Sequence, residues 1–146
     1  MVHTPFKTRD DGAPIQPSRA KGAKGTVTIR EDLVDGLADL DGFSHITLIF
    51  HFHLSQDYEL KVIPYLDTVR RGVFATRAPR RPNQIGLSVV RLTKIEGNVL
   101  YIENVDILDG TPLLDIKPFV PGFVEPDEDV RKGWLEKALE KDGRGK

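Results

Sequence analysis

Residues 44–53, SHITLIFHFH, alternate with a period of two, and that period most limits what this chain can fold into. Ile46, Leu48, Phe50 and Phe52 would line one face of a strand, and His45, Thr47, Ile49, His51 and His53 the other. That is the signature of a half-buried β-strand. Further β signals follow along the chain. Residues 25–30 alternate around Val27 and Ile29, and a long strand is expected over 85–95. Gly97-Asn98 reads as a two-residue hairpin turn, with a return strand over 99–105. Asp109-Gly110 marks the next turn, ahead of a strand over 113–119. Residues 61–65, broken by Pro64, read as an edge strand, and 72–77 as a strand delivering Arg77. Helical signals are few. Leu33, Leu37 and Leu40 predict one short helix near 31–41. Val130, Trp134 and Ala138, with Leu135 and Leu139 beside them, predict a C-terminal helix near 127–141. Asp127 with Arg131 and Glu128 with Lys132 add i, i+4 pairs to it. Residues 1–24, rich in Pro, Gly and Lys, read as a loop-like arm. Short strands with turns between them and no repeated βα unit point to a mainly-β barrel or sandwich.

The 146 residues amount to a single domain. A domain of this size hides roughly 70% of its unfolded surface. The chain has no cysteine, which excludes disulfide scaffolds, thiolate metal sites and thiol nucleophiles. No apolar run nears the roughly 18 residues of a membrane span. The N-terminal MVHTPFKTRD has no apolar stretch of the kind a secretory signal needs, so a cytoplasmic protein is expected.

Net charge is −1, from 21 basic and 22 acidic residues, yet the segment from Arg70 to Arg91 holds six arginines and no acid. Such segregation suits a phosphate- or carboxylate-bearing ligand, since Arg forks bind oxyanions bidentately. The plainer alternative is a solvated strand edge. Pro79 and Pro82 stiffen the loop that presents Arg80 and Arg81 before any ligand arrives.

His51 and His53 have the H-x-H spacing of a metal pair, but only His45 and His3 remain as further imidazoles, so no metal is expected. Polar lining of a ligand cavity or ordinary strand histidines are the readings preferred. Asp106, Asp109 and Asp115 cluster around a Gly-Thr-Pro turn with Lys117 near them. Asp109 precedes Gly110, where turns favour aspartate anyway; Asp115 lies within an apolar strand, which turn chemistry does not explain. There is no G-x-G-x-x-G, P-loop or nucleophile-elbow motif, so a Rossmann dinucleotide site is unsupported.

The segments HTPFK (3–7), FSHITLIFHFH (43–53), GVFATRAPRRPNQIGLSVVRL (72–92), DILDGTPLLDIKPFVP (106–121) and GWLE (133–136) together resemble the TsaA-like, or TrmO, family. The resemblance implies a single β-barrel domain, a homodimer, and S-adenosylmethionine bound without a Rossmann fold. The implied activity is N6-methylation of threonylcarbamoyl-adenosine at tRNA position 37, beside the anticodon. The alternative from another class is a non-catalytic module that binds S-adenosylmethionine or RNA. The resemblance also implies a strand ending I-G-x-[IV] before the T-P element. This chain starts Met1-Val2-His3, so that strand is expected to be missing, as is the separate C-terminal domain of longer relatives.

Carried over by motif, cofactor contacts fall at Pro14, Ile15 and Gln16, at His53 and Leu54, at Arg77 with Leu87, and at Leu108, Asp109, Gly110 and Thr111. Ile15 stands where the family usually has arginine, and Leu54 where it usually has glutamine. The chemistry then suggests the other roles. Arg80, Arg81, Asn83 and Lys117 are candidates for tRNA contact, and Asp106 is a candidate acceptor for the proton the methylated amine loses.

Overall fold

The computed structural model describes residues 1–8 and 20–143. Eight strands and two short α-helices occur among them: β1 (Val2–His3), β2 (Lys24–Thr28), β3 (His45–His51), β4 (Lys61–Val62), β5 (Arg71–Gly72), β6 (Ile85–Glu96), β7 (Val99–Glu103), β8 (Leu113–Pro118), α1 (Pro121–Val124) and α2 (Leu135–Lys141). The chain divides into two compact units, residues 1–54 with 84–119, and residues 55–83 with 120–146.

The first unit holds a six-stranded antiparallel sheet in the order β1-β2-β7-β6-β3-β8. Its core follows from the period of two. Ile46, Leu48 and Phe50 of β3 are buried together with Val90 and Leu92 of β6 and Leu100 and Ile102 of β7. Val2, Val27, Val105 and Ile107 complete the cluster. The expected β6–β7 hairpin is present, and Gly97 takes the positive φ of 58° that a two-residue loop requires at its first position. Val2 and Thr111 form an antiparallel bridge, with Val2 N donating to Thr111 O at 2.9 Å and Gly110 N to Val2 O at 2.9 Å. The bridge joins the first strand in the sheet order to the residues just before the last. The arm therefore supplies a strand at Val2–His3, paired to Val27 and Thr26.

The helix expected near 31–41 is present as two 3-10 turns, Glu31–Leu37 and Leu40–Gly42. Asp39, at φ 67°, is left-handed between them, and that conformation stops a continuous α-helix.

In the second unit β4 pairs with β5, and a 3-10 turn at Val73–Ala75 follows at once. The strand expected over 72–77 is thus only two residues of ladder. The C-terminal helix is also shorter than its periodicity suggests. It covers Leu135–Lys141 alone, because Gly133 adopts φ +57° and interrupts the backbone two residues earlier. The i, i+4 pairs at 127–132, worth only about 0.2–0.5 kcal/mol each, do not build a helix by themselves. Trp134 explains the GWLE segment: its Nε1 donates to Ala75 O at 2.8 Å, and the Arg71 guanidinium lies 5.7 Å from its ring centre. Arg71 Nε in turn donates to Asp67 Oδ2 at 2.7 Å. That bond, followed by one from the Thr68 backbone N–H, holds the Asp67 carboxyl below the usual carboxylate range. No helix among the described residues is long and apolar enough to cross a membrane.

Candidate functional site

In the first unit the Leu108–Thr111 turn is built by local and distant bonds together. Gly110 takes φ +77°, and the Thr111 hydroxyl donates to Leu108 O at 2.7 Å. The N-terminal segment then locks the turn from more than a hundred residues away. Asp109 N donates to Phe6 O at 2.6 Å, Thr4 N to Asp109 Oδ1 at 3.1 Å, and Thr4 Oγ1 to Ile107 O at 2.7 Å. His3 Nδ1 lies 3.7 Å from Asp109 Oδ1. Asp109 Oδ2 makes no hydrogen bond with any described residue, so one carboxylate oxygen is fixed and the other is open to a ligand.

His53 meets the same turn. Its Nδ1 lies 3.4 Å from Thr111 Oγ1. The same hydroxyl lies 2.7 Å from Leu108 O, so the turn and the imidazole share one side chain. A side chain at Gly110 would bring its Cβ to 3.9 Å from His53 Nε2. The backbone that leads from β3 to His53 is held by His51 N donating to Pro112 O at 3.0 Å and Phe52 N to Gln84 O at 2.8 Å. Gln84 pays for this with a left-handed φ of 49°. Among the described residues no three His, Asp or Glu side chains gather to hold a metal.

The other candidates on this unit take separate places. Asp106 accepts a 2.7 Å hydrogen bond from Ser88, a core-facing residue of β6, and so ties the β7–β8 connection to the sheet. Lys117 Nζ pairs with Asp115 Oδ2 at 3.0 Å, and this bond leads the causes that hold the Asp115 carboxyl low. Leu87 is exposed on β6 opposite Ile49, and Leu54 is exposed beyond β3. Pro14, Ile15 and Gln16 lie outside the described residues.

The arginine segment belongs mostly to the second unit. Arg80 Nη1 pairs with Glu59 Oε1 at 2.7 Å, and Arg70 lies 3.9 Å from the other oxygen of that carboxylate. Arg81 turns back on its own loop, donating to Thr76 O at 2.7 Å and Ala78 O at 3.1 Å. Arg77 and Asn83 are exposed, and Arg77 makes no hydrogen bond or ion pair with any described residue. Sequence reasoning passed over Thr4 and Phe6 as site residues, although the HTPFK segment that contains them carried the family motif. It also passed over Ser55, whose Oγ is buried without a hydrogen-bond partner; nothing in its local sequence marks it.

Fold and site define a class: a mainly-β protein in which an Asp-Gly-Thr turn of an antiparallel sheet is locked by the chain's own N-terminal segment. Residues 1–124 match the family model described as the tRNA-methyltransferase O N-terminal domain, and the chain belongs to the TrmO family. It is 55% identical over 141 residues to a probable S-adenosyl-L-methionine-binding protein of Pyrococcus abyssi, covering 97% of this chain and 76% of that one. It is 40% identical over 122 residues to the tRNA (adenine(37)-N6)-methyltransferase of Mus musculus, covering 79% of this chain and 28% of that one. The crystal structure of TrmO from Pseudomonas aeruginosa superposes with a TM-score of 0.73 at 40% identity, over 90% of this chain and 58% of that one. The chain therefore spans only part of the mouse and Pseudomonas proteins.

Proposed function

We propose that this chain is an S-adenosylmethionine-dependent tRNA methyltransferase that acts on N6 of threonylcarbamoyl-adenosine at position 37. The observation that carries the reading is the Asp109 turn. One carboxylate oxygen is anchored by Thr4 N, the second is open, and His53 stands at the same turn. This set of groups suits a sulfonium-bearing nucleoside: a carboxylate balances the cation or accepts from ribose hydroxyls, and an imidazole sits close by. Family membership and relatives named for S-adenosylmethionine binding or tRNA methylation support the same assignment.

When bound, the cofactor supplies an electrophilic methyl group. Asp109 and His53 fix its position, and holding the two reactants in line supplies several kcal/mol of the barrier. Asp106 is our candidate for the group that takes the proton N6 releases, and the Ser88 hydrogen bond fixes that carboxylate. Arg77 serves an oxyanion, either a carboxylate or a phosphate. The exposed Arg80–Glu59 and Lys117–Asp115 pairs, each worth about 1 kcal/mol or less, exchange readily for tRNA phosphates. Asn83 is a further tRNA contact in this reading.

The sheet is read as a closed barrel, a reading supported by the Val2–Thr111 bridge between the two ends of the strand order. We also propose a cytoplasmic homodimer. Its support is an apolar outer face where Ile85 and Leu87, 47% and 48% exposed, lie across from His51 and Ile49. Light scattering at micromolar concentration is expected to give the mass of two chains, and Ile85→Asp to give one. A single-chain mass for the unaltered protein contradicts the dimer.

The second reading, a binding module without turnover, is favoured by Ile15 and Leu54, which depart from the family's usual residues. Labelled S-adenosylmethionine and tRNA separate the two. Label is expected in the N6 methyl group of threonylcarbamoyl-adenosine and absent from tRNA that lacks the threonylcarbamoyl group.

A further inference from the structure

Five arginines lie between residues 70 and 81, and the structure gives them different tasks. Arg70, Arg71 and Arg80 face carboxylates. Arg81 is half-buried and faces none. Its Nη1 bridges two backbone carbonyls, Thr76 O at 2.7 Å and Ala78 O at 3.1 Å. Those carbonyls belong to the residues immediately before and after Arg77. The loop is closed further by Thr76 Oγ1 donating to Val73 O at 2.8 Å, Ala78 N donating to Thr76 Oγ1 at 3.3 Å, and Arg81 N donating to Pro79 O at 2.9 Å. Arg77, held within this frame, is the exposed member without a bond to any described residue.

We propose that Arg81 is a positioning residue for Arg77: by clamping the carbonyls of Thr76 and Ala78 it fixes the backbone that presents the Arg77 guanidinium to a ligand oxyanion. The inference rests on reading Arg77 as a ligand-binding cation. The oxyanion chemistry is shared by the cofactor's carboxylate and a tRNA phosphate. The clamp acts through the fraction of molecules with the loop in its competent form. Apparent affinity falls in proportion to that fraction, so a loop competent about a tenth of the time binds about tenfold more weakly. The effect cannot exceed that of removing Arg77 itself.

The test is a double-mutant cycle on the full chain with Arg77→Ala, Arg81→Ala and both together. Each protein is titrated separately with S-adenosylmethionine and with tRNA, the latter at several salt concentrations. Arg77→Ala and Arg81→Ala are expected to weaken the same ligand, Arg81→Ala by about 3- to 10-fold, with no further loss in the double mutant. If the partner is a phosphate, the tRNA titration changes, and its log–log salt slope falls by about 0.7–0.9 in Arg77→Ala and in the double mutant but holds in Arg81→Ala, where the competent fraction still makes the contact. If it is the cofactor carboxylate, the S-adenosylmethionine titration changes and the tRNA slope holds. Losses that multiply in the double mutant would mean that Arg81 touches the ligand itself and would overturn the clamp. So would wild-type affinity in Arg81→Ala beside weakened binding in Arg77→Ala. Should Arg81→Ala fail to fold by circular dichroism, Arg81→Met carries the same cycle, since it keeps an apolar stem but has no nitrogen to donate to the two carbonyls. An unaltered protein that binds neither ligand overturns the functional reading instead, so the two failures are told apart.

Discussion

Gly86→Ala is expected to destabilise the protein by about 3 kcal/mol, lowering the melting temperature by roughly 10 °C. Gly86 stands opposite Phe50 in the β3–β6 register. A Cβ there would lie 2.6 Å from Phe50 Cζ and 2.8 Å from Phe52 Cζ, and it would also overlap Phe50 Cε2. Neither ring can simply swing away. They pack edge to face at 5.3 Å, and Phe50 belongs to the core cluster. The displaced backbone leads directly to His53, so cofactor affinity is expected to fall with stability. Gly36→Ala is the matching control, because nothing lies within 4 Å of a Cβ at that position. Thermal denaturation followed by circular dichroism reads both. A Gly86→Ala melting temperature equal to that of Gly36→Ala would contradict the described packing.

Asp109→Ala is expected to weaken S-adenosylmethionine binding by about 10- to 100-fold, the value of one or two charge-assisted hydrogen bonds. It also strips Thr4 N of its acceptor and loosens the N-terminal segment from the turn. Asp109→Asn separates these effects. Its amide oxygen still accepts from Thr4 N, so stability is expected to stay close to that of the unaltered protein while binding is still lost with the charge. Titration calorimetry with S-adenosylmethionine measures the first effect and thermal melting the second. Full affinity in Asp109→Asn would show that the charge plays no part.

The long alternating strands were legible because burial on one face writes itself into the sequence. Ile46, Leu48 and Phe50 are buried as their spacing requires, and the Gly97-Asn98 hairpin fell where its turn residues put it. The two-residue strands β1, β4 and β5 leave no such periodicity. Asp39 and Gly133 interrupt segments whose apolar spacing alone suggests unbroken helices. At the site, Asp109-Gly110 announced a turn. Its partners Thr4 and Phe6 did not follow from spacing, since contacts across more than a hundred residues depend on the whole sheet being assembled. The arginines were the hardest to sort. A guanidinium reads the same in sequence whether it faces a ligand oxyanion or, like the Nη1 of Arg81, donates to two carbonyls of its own loop.

Methyl transfer to adenosine 37 is the decisive measurement. The protein is incubated with methyl-labelled S-adenosylmethionine and threonylcarbamoylated tRNA, and the anticodon-loop fragment is isolated for mass spectrometry. One added methyl group is expected on N6 of nucleotide 37, abolished when that adenosine is replaced by another base. Bound S-adenosylmethionine with no label in any nucleotide, or label at a nucleotide other than 37, would contradict it.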